Sequence, residues 1–116
     1  MFEIIYYEDK NGNYPAEEFI LSLEPKMRAK VAHTLLLLEQ EGNNLREPYS
    51  KYLEDGIFEL RVKSGSNISR VFYFFIINKT IVLTNGFIKK TNKTPKNELT
   101  KAKNYRSDFL SRNKEG

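Results

Sequence analysis

The stretch GIFELRVKSGSNISRVFYFFIINKTIVLTNGFI, residues 56–88, predicts three consecutive β-strands and decides the fold. In its first part apolar residues alternate with charged ones, the period of a strand with one buried face. The Ser-Gly-Ser-Asn run at 64–67 and the Asn78-Lys79 pair are typical of hairpin loops. We therefore predict antiparallel strands over residues 56–63, 68–77 and 80–88.

Helical patterns lie on both sides of these strands. Upstream, residues 2–7 read as a short strand, Pro15 suits the first turn of a helix, and residues 26–41 repeat apolar side chains at helical spacing. Downstream, Thr94 is a natural N-cap with Pro95 in first position, so residues 95–111 are predicted to form a terminal helix. The resulting prediction is an α+β fold in a single domain, residues 1–116. An N-terminal αα-hairpin packs on a small twisted antiparallel sheet of about four strands, followed by the C-terminal helix.

The segment 43–53 shows no clear period and is predicted to be a loop. It carries Arg46, Tyr49, Lys51 and Tyr52. Two tyrosines with two cations can stack bases and hold phosphates. The tyrosines can equally pin the loop to the domain. We favour the structural role for Tyr49, and the role of Lys51 stays open.

Composition excludes several classes of function. The chain has no cysteine and one histidine, which excludes disulfides, thiol catalysis and a histidine-based metal cluster. His33 lies on a predicted helix with no reactive residue at helical spacing, so a surface or packing role is expected. No apolar run reaches the ~18 residues that span a bilayer, and no basic, signal-like N-terminus is visible. We expect a cytoplasmic protein with no membrane partner, no metal and no cofactor.

Charge is divided unevenly along the chain. Residues 1–60 carry 6 Lys/Arg against 12 Asp/Glu, whereas residues 61–116 carry 13 against 3. Such asymmetry indicates a face for a polyanion, and nucleic acid is the commonest one. The alternative is a basic helix face that is simply solvated.

Loop lengths predict which polar side chains meet. A four-residue loop at 64–67 places Arg61 opposite Arg70, and a two-residue turn at 78–79 places Arg70 opposite Phe87 and Ile68 opposite Lys89. Cross-strand partners share a face of the sheet. One face then holds Glu59, Arg61, Lys63, Arg70, Asn85, Phe87 and Lys89. The opposite face, which receives the αα-hairpin, holds Phe58, Leu60, Val62, Val71, Tyr73, Phe75, Val82 and Ile88.

An arginine directly opposite an arginine is unfavourable, and sequences tend to break local rules at functional sites. A shifted register, or neutralisation by helix acids, is the alternative explanation. The cationic face can bind a phosphodiester and stabilise its transition state through bidentate arginine contacts. On RNA the substrate's 2′-hydroxyl can be the nucleophile. A lysine among other cations has a lowered pKa and can act as acid or base, Glu59 is the alternative base, and Phe87 can stack on a nucleobase.

These motifs, E-L-R at 59–61, R-x-x-Y at 70–73 and G-F-x-K-K-x-x-K-T-P at 86–95, resemble the RelE/ParE superfamily of type II toxins. The HigB-like, phage-derived branch is the most similar. The resemblance implies a toxin that cleaves mRNA in the ribosomal A site. It also implies a helix-turn-helix, HigA-like antitoxin that neutralises the toxin and alone contacts operator DNA.

The resemblance also implies site residues. Arg61 and Arg70 match the family's strand arginines, and Lys89 and Lys90 fall where members place residues after the last strand. Some members carry histidine or tyrosine there, so the acid and the base stay unassigned. The predicted catalytic residues are Arg61, Arg70, Lys89, Lys90 and Glu59, and the predicted RNA-binding residues are Lys51, Lys63, Phe87, Lys93 and Lys96.

Two other functions stay open. One is a ParE-like gyrase inhibitor without nuclease activity, from the same superfamily. The other is a non-catalytic nucleic-acid-binding module that uses the basic C-terminal helix. The converging arginines and lysines favour the endoribonuclease.

Overall fold

A computed structural model of the chain describes residues 1–89 and 94–113. It confirms the α+β class, with three α-helices and a five-stranded sheet within those residues. In chain order the elements are β1 Glu3–Tyr6, α1 Pro15–Ser22, α2 Pro25–Glu41, a 3-10 turn Gly42–Asn44, β2 Ser50–Glu54, β3 Ile57–Ser64, β4 Asn67–Ile76, β5 Thr80–Lys89 and α3 Lys96–Arg112.

The sheet has the strand order β1-β5-β4-β3-β2 and is mixed rather than wholly antiparallel. β1 runs parallel to β5, and the other neighbours are antiparallel. The strand that was not predicted, β2, begins inside the segment 43–53 predicted to be a loop and ends one residue beyond it. Its Lys51 and Tyr52 are both exposed, so this edge strand lacks the alternation of apolar and polar residues that reveals a half-buried strand.

The predicted registers around the arginines are confirmed. Arg61 pairs with Arg70, Arg70 with Phe87, and Ile68 with Lys89. The β4–β5 turn is one residue longer than predicted, because Ile76 pairs with Thr80. A register shift between Val71 and Tyr73 then restores the predicted pairing.

The same shift corrects one predicted position. Between the turn and the irregularity, β5 is displaced by one residue relative to the prediction, so its side chains face the opposite way. Val82 therefore packs in the cluster under α3, not on the face that receives α1 and α2.

Helices cover both faces of the sheet and make two apolar cores. α1 and α2 pack on one face over Leu60, Val62, Val71 and Tyr73, as predicted. α3 packs on the other face, over Ile57, Phe72 and Phe74, through its buried Ala102. The face predicted to be cationic is thus also the face that carries α3.

The start of α3 differs from the prediction by one residue. Its first helical residue is Lys96 and its N-cap is Pro95, which gives no side-chain cap. Thr94 lies one residue further out, and its hydroxyl donates to Glu59 instead of accepting a hydrogen bond from a helix backbone N–H. At the far end of α3, the Tyr7 hydroxyl donates to Asp108 and the Tyr7 ring stacks on Tyr105. No helix of the described residues has the length and apolar character needed to cross a membrane.

Candidate functional site

Glu59 is the centre of a buried polar cluster between the sheet and the start of α3. Glu59 has no exposed surface. Its Oε1 accepts hydrogen bonds from Arg61 Nε at 3.0 Å and Arg70 Nη1 at 2.8 Å. One carboxylate oxygen therefore holds both guanidinium groups of the like-charged pair. The neutralising acid comes from β3 itself, two residues before Arg61, rather than from a helix.

The second oxygen of Glu59 is also occupied. Oε2 accepts a hydrogen bond from Thr94 Oγ1 at 3.0 Å, which ties the segment before α3 to β3. An ionised carboxylate offers about four acceptor positions, and three are used here. With no exposed surface left, Glu59 is better placed to hold the two arginines than to take a proton from a substrate hydroxyl.

Lys89 completes the cluster at the end of β5. It is 5% exposed, and its Nζ has no hydrogen-bond partner among residues 1–89 and 94–113. Burial lowers the pKa of Lys89 most, the charges of Arg70 and Arg61 lower it further, and Glu59 opposes them. A lower pKa makes more of the neutral amine available at a given pH, which is what a general base requires.

The four residues Glu59, Arg61, Arg70 and Lys89, which we call the cationic cluster, differ sharply in access to solvent. The side chain of Arg61 is 26% exposed, whereas those of Arg70 and Glu59 are almost fully covered. Arg61 also lies 4.0 Å from the largely exposed carboxylate of Glu47. An incoming phosphate would therefore meet Arg61 before the buried members of the cluster.

The other predicted binding residues lie around this cluster. Phe87 is half-buried, and its ring packs 5.6 Å from that of Phe72, which leaves only part of it for a base. Lys51 is exposed on β2 directly opposite Glu59, and exposed Lys96 begins α3. Lys63 is exposed. Together with both arginines it lines a groove between α2 and the sheet. Lys90 and Lys93 lie outside the described residues.

Three further residues lie near the cluster or line the groove that reaches it. Thr94 was predicted as a helix cap, and nothing in its local pattern indicates a bond to a residue 35 positions earlier. Tyr49 and His33 line the groove that reaches Arg61 and Arg70, although both were expected to have structural roles. Among the described residues no three His, Asp or Glu side chains lie close enough together to hold a metal ion.

Two features define the class of protein. One is the small α+β fold, and the other is a pair of arginines held by one carboxylate, with a buried lysine beside them, at one end of the sheet. The chain belongs to the family of phage-derived Gp49-like proteins (DUF891), whose model matches residues 18–107. The match covers every residue of the cationic cluster and Thr94. This is a toxin-type family of toxin–antitoxin systems, so membership implies an antitoxin partner. No curated protein matches the chain significantly.

Proposed function

We propose that the chain is the toxin of a type II toxin–antitoxin system and acts as a ribosome-dependent mRNA endonuclease. The observation that carries this proposal is the cationic cluster, in which Arg61 and Arg70 share one oxygen of Glu59 beside a buried lysine of lowered pKa. Membership in a phage-derived, toxin-type family supports it. The arrangement suits a reaction that develops negative charge on a phosphate.

The chemistry is a transesterification within the RNA. The 2′-oxygen of one nucleotide forms a bond to the adjacent phosphorus, and the bond from phosphorus to the 5′-oxygen of the next nucleotide breaks. The 2′-hydroxyl gives its proton to a base, and the departing 5′-oxygen receives one from an acid. The products are a 2′,3′-cyclic phosphate and a 5′-hydroxyl end, so the proposed reaction draws only on side chains and the substrate's hydroxyl.

Roles follow from the geometry of the cluster. Arg61 and Arg70 are the groups that bind the phosphate and stabilise the pentacoordinate transition state, because guanidinium matches two phosphate oxygens at once. The neutral amine of Lys89 is the proposed base. On the family resemblance alone, Lys90 is the proposed acid, and Glu59 is proposed to position the arginines. Lys51, Lys63, Phe87, Lys93 and Lys96 are the proposed contacts to the flanking RNA.

The proposed partners follow from the same function. A helix-turn-helix, HigA-like antitoxin would neutralise the toxin and supply the contact with operator DNA. The ribosome would present the message, and the protein would act in the cytoplasm.

Mapping of mRNA 5′ ends after induced expression without an antitoxin tests the proposal. We expect growth arrest and new 5′-hydroxyl ends within translated codons. Arg61→Ala and Lys89→Ala should lose these cuts, whereas Lys101→Ala, which removes an exposed charge from α3, should keep them. Arg61 is the informative arginine, since it is partly exposed and its loss costs the fold less than loss of buried Arg70.

Unchanged message ends together with growth arrest would contradict the nuclease. Inhibition of DNA gyrase by the purified protein, measured in a supercoiling assay, would then identify the alternative function. Full cutting by both Arg61→Ala and Lys89→Ala would instead refute the proposed site.

A further inference from the structure

A groove of about 690 Å³ lies between α2 and the sheet, next to the cationic cluster. Its α2 wall includes Lys30 and His33, and its opposite wall includes Tyr49 and Lys63. Arg61 and Arg70 also line it, so the groove is continuous with the proposed cleavage site. Its volume falls within the range of about 300–1,000 Å³ typical of small-ligand clefts.

The charged side chains that line the groove favour an anion. Four cationic side chains line it, Lys30, Lys63, Arg61 and Arg70, and no Asp or Glu of the described residues does. Lys30 Nζ donates to the backbone oxygen of Lys63 at 3.4 Å, which holds one cation across the gap between α2 and β3. The nearby carboxylates, Glu47 and Glu59, both face arginines. The four charges favour a phosphate-linked ligand, and the apolar part of the lining suits a nucleobase.

The groove also offers ring faces for a base. Tyr49 is 44% exposed, and among residues 1–89 and 94–113 no aromatic ring packs on it. The backbone of Tyr49 is held in place, because the Arg61 backbone N–H donates to the Tyr49 carbonyl oxygen at 2.8 Å. The exposed imidazole of His33 lies on the α2 wall. Aromatic faces next to a basic track are how proteins hold single-stranded nucleic acid.

We propose that this groove is a nucleobase subsite, which takes one nucleotide flanking the scissile phosphate of single-stranded RNA. The base stacks on Tyr49 beside His33, while Lys30 and Lys63 contact the adjoining phosphates. The inference rests on the proposed function for the identity of the ligand. It adds a site that separates recognition of the substrate from cleavage at the cationic cluster.

His33 gives the test a unique reporter, since it is the one histidine in the chain. The purified protein is titrated with a five-nucleotide single-stranded RNA in which every 2′-hydroxyl is methylated, so that no 2′-oxygen can attack. The His33 ring resonances are followed by NMR, and the affinity is measured by fluorescence anisotropy. We expect saturable shifts of the His33 ring signals.

Two variants and one altered ligand sharpen the measurement. Tyr49→Ala should weaken binding at least about fivefold, the size of one lost stacking contact. Tyr14→Ala, which removes a tyrosine of similar exposure (37%) elsewhere, should not change it. An oligonucleotide lacking the base at the bound position should bind wild type and Tyr49→Ala equally. Thermal melting checks that both variants are folded.

Failure of the subsite and failure of the nuclease are distinguishable. Unmoved His33 signals, absence of binding at millimolar RNA, or equal affinity of Tyr49→Ala and wild type for the intact oligonucleotide would each overturn the subsite. Messages would still be cut in that case if the nuclease proposal holds. Conversely, His33 shifts and weakened Tyr49→Ala binding with intact cellular messages would support the subsite and contradict the nuclease. Displacement of the RNA by an uncharged apolar peptide, with the same His33 shifts, would point to a protein occupant and overturn it.

Discussion

Arg70 donates from Nη1 to Oε1 of Glu59 at 2.8 Å, and both side chains are almost completely buried. Two buried charges of opposite sign are tolerated only when they are paired with good geometry. Arg61 uses the same oxygen, so Glu59 is shared between two cations that the strand register forces together. Stability and the proposed activity therefore depend on the same carboxylate.

Glu59→Ala should destabilise the protein by about 3–5 kcal/mol, because it leaves an uncompensated buried charge on Arg70. Glu59→Gln also leaves this charge uncompensated, but it keeps an acceptor oxygen of the same reach and should therefore cost less. Urea denaturation of the two variants measures the difference. Glu18→Ala, which removes an exposed acid on α1, should stay within about 0.5 kcal/mol of wild type.

The positioning role of Glu59 has its own readout. In single-turnover cleavage, Glu59→Gln should lower the rate of the chemical step more than it weakens RNA binding, since the arginines remain but lose their fixed orientation. If Lys89 is the base, the pH at which the rate is half-maximal should fall in Glu59→Gln, because the charge of Glu59 raises the pKa of Lys89 and the neutral amide does not. Loss of the rise of the rate with pH in Glu59→Gln would instead assign the base to Glu59.

Thr94→Val removes the hydroxyl that donates to Glu59 Oε2 and keeps the shape of the side chain. We expect a loss of about 1 kcal/mol in the free energy of unfolding, the usual size of one buried hydrogen bond. Cleavage should also fall, because the bond joins α3 to the carboxylate that holds the arginines. Thr100→Val on the exposed face of α3 is the matched control, and an equal loss in both variants would show that the Thr94 bond contributes nothing.

Lys89→Met should raise stability at neutral pH and abolish cutting. An ammonium that is buried beside two arginines without a described partner costs about 1–3 kcal/mol, and methionine removes that cost. The pKa of Lys89 is lowered from 10.5 in the folded chain, so in the window between the lowered value and 10.5 the unfolded chain binds more protons. The stability contribution of Lys89 therefore rises with pH in that window.

Urea melts across a pH series check this prediction. The rise of stability towards pH 10.5 should be smaller in Lys89→Met than in wild type. Parallel profiles, or a less stable Lys89→Met at pH 7, would show that Lys89 is paired in solution. They would also remove the basis for its assignment as the proposed base.

Tyr7→Phe tests the anchor at the far end of α3. The Tyr7 hydroxyl donates to Asp108 Oδ2 at 2.6 Å; burial, and then this bond, raises the pKa of Tyr7 to about 12. The same bond is the largest cause of the lowered pKa of Asp108. The stabilisation from this bond is therefore present above pH 3.8, the ordinary pKa of an Asp carboxyl. It is lost as the pH falls through the lowered pKa of Asp108 in the folded chain. Tyr7→Phe should be less stable at pH 7 and lose less on acidification, whereas Tyr105→Phe should follow wild type in thermal melts.

The sequence predicted the strands and the meeting of Arg61, Arg70 and Lys89 because alternation and loop length constrain register. For β4 and β5 the prediction succeeded through two errors that cancel. The turn is one residue longer than expected, and the register shift between Val71 and Tyr73 restores the pairing beyond it. Val82 lies between the two irregularities. Its predicted face is therefore wrong, and it packs in the core under α3.

What the sequence could not predict depends on tertiary contacts. β2 has no half-buried period, so its pattern matches a loop. The three bonds to Glu59 come from residues 2, 11 and 35 positions away, and which rotamers reach the carboxylate is settled only when α3 packs on the sheet. The groove beside Tyr49 arises in the same way. It depends on the distance between α2 and the sheet, and no local spacing in the sequence specifies that distance.

Gly86→Ala tests how tightly β5 packs against β4, the strand that carries Arg70. A Cβ at residue 86 would lie 2.8 Å from the Arg70 carbonyl oxygen and 2.5 Å from the Phe19 ring. The ring can turn, but the carbonyl belongs to a central strand, so β4 must shift and move Arg70 relative to Glu59. We expect a loss of about 1–3 kcal/mol, as for overpacked cores, together with reduced cleavage. Phe19→Leu in the same chain should relieve only the ring contact, so full recovery of stability in the double variant would show that the Arg70 backbone is not the obstacle.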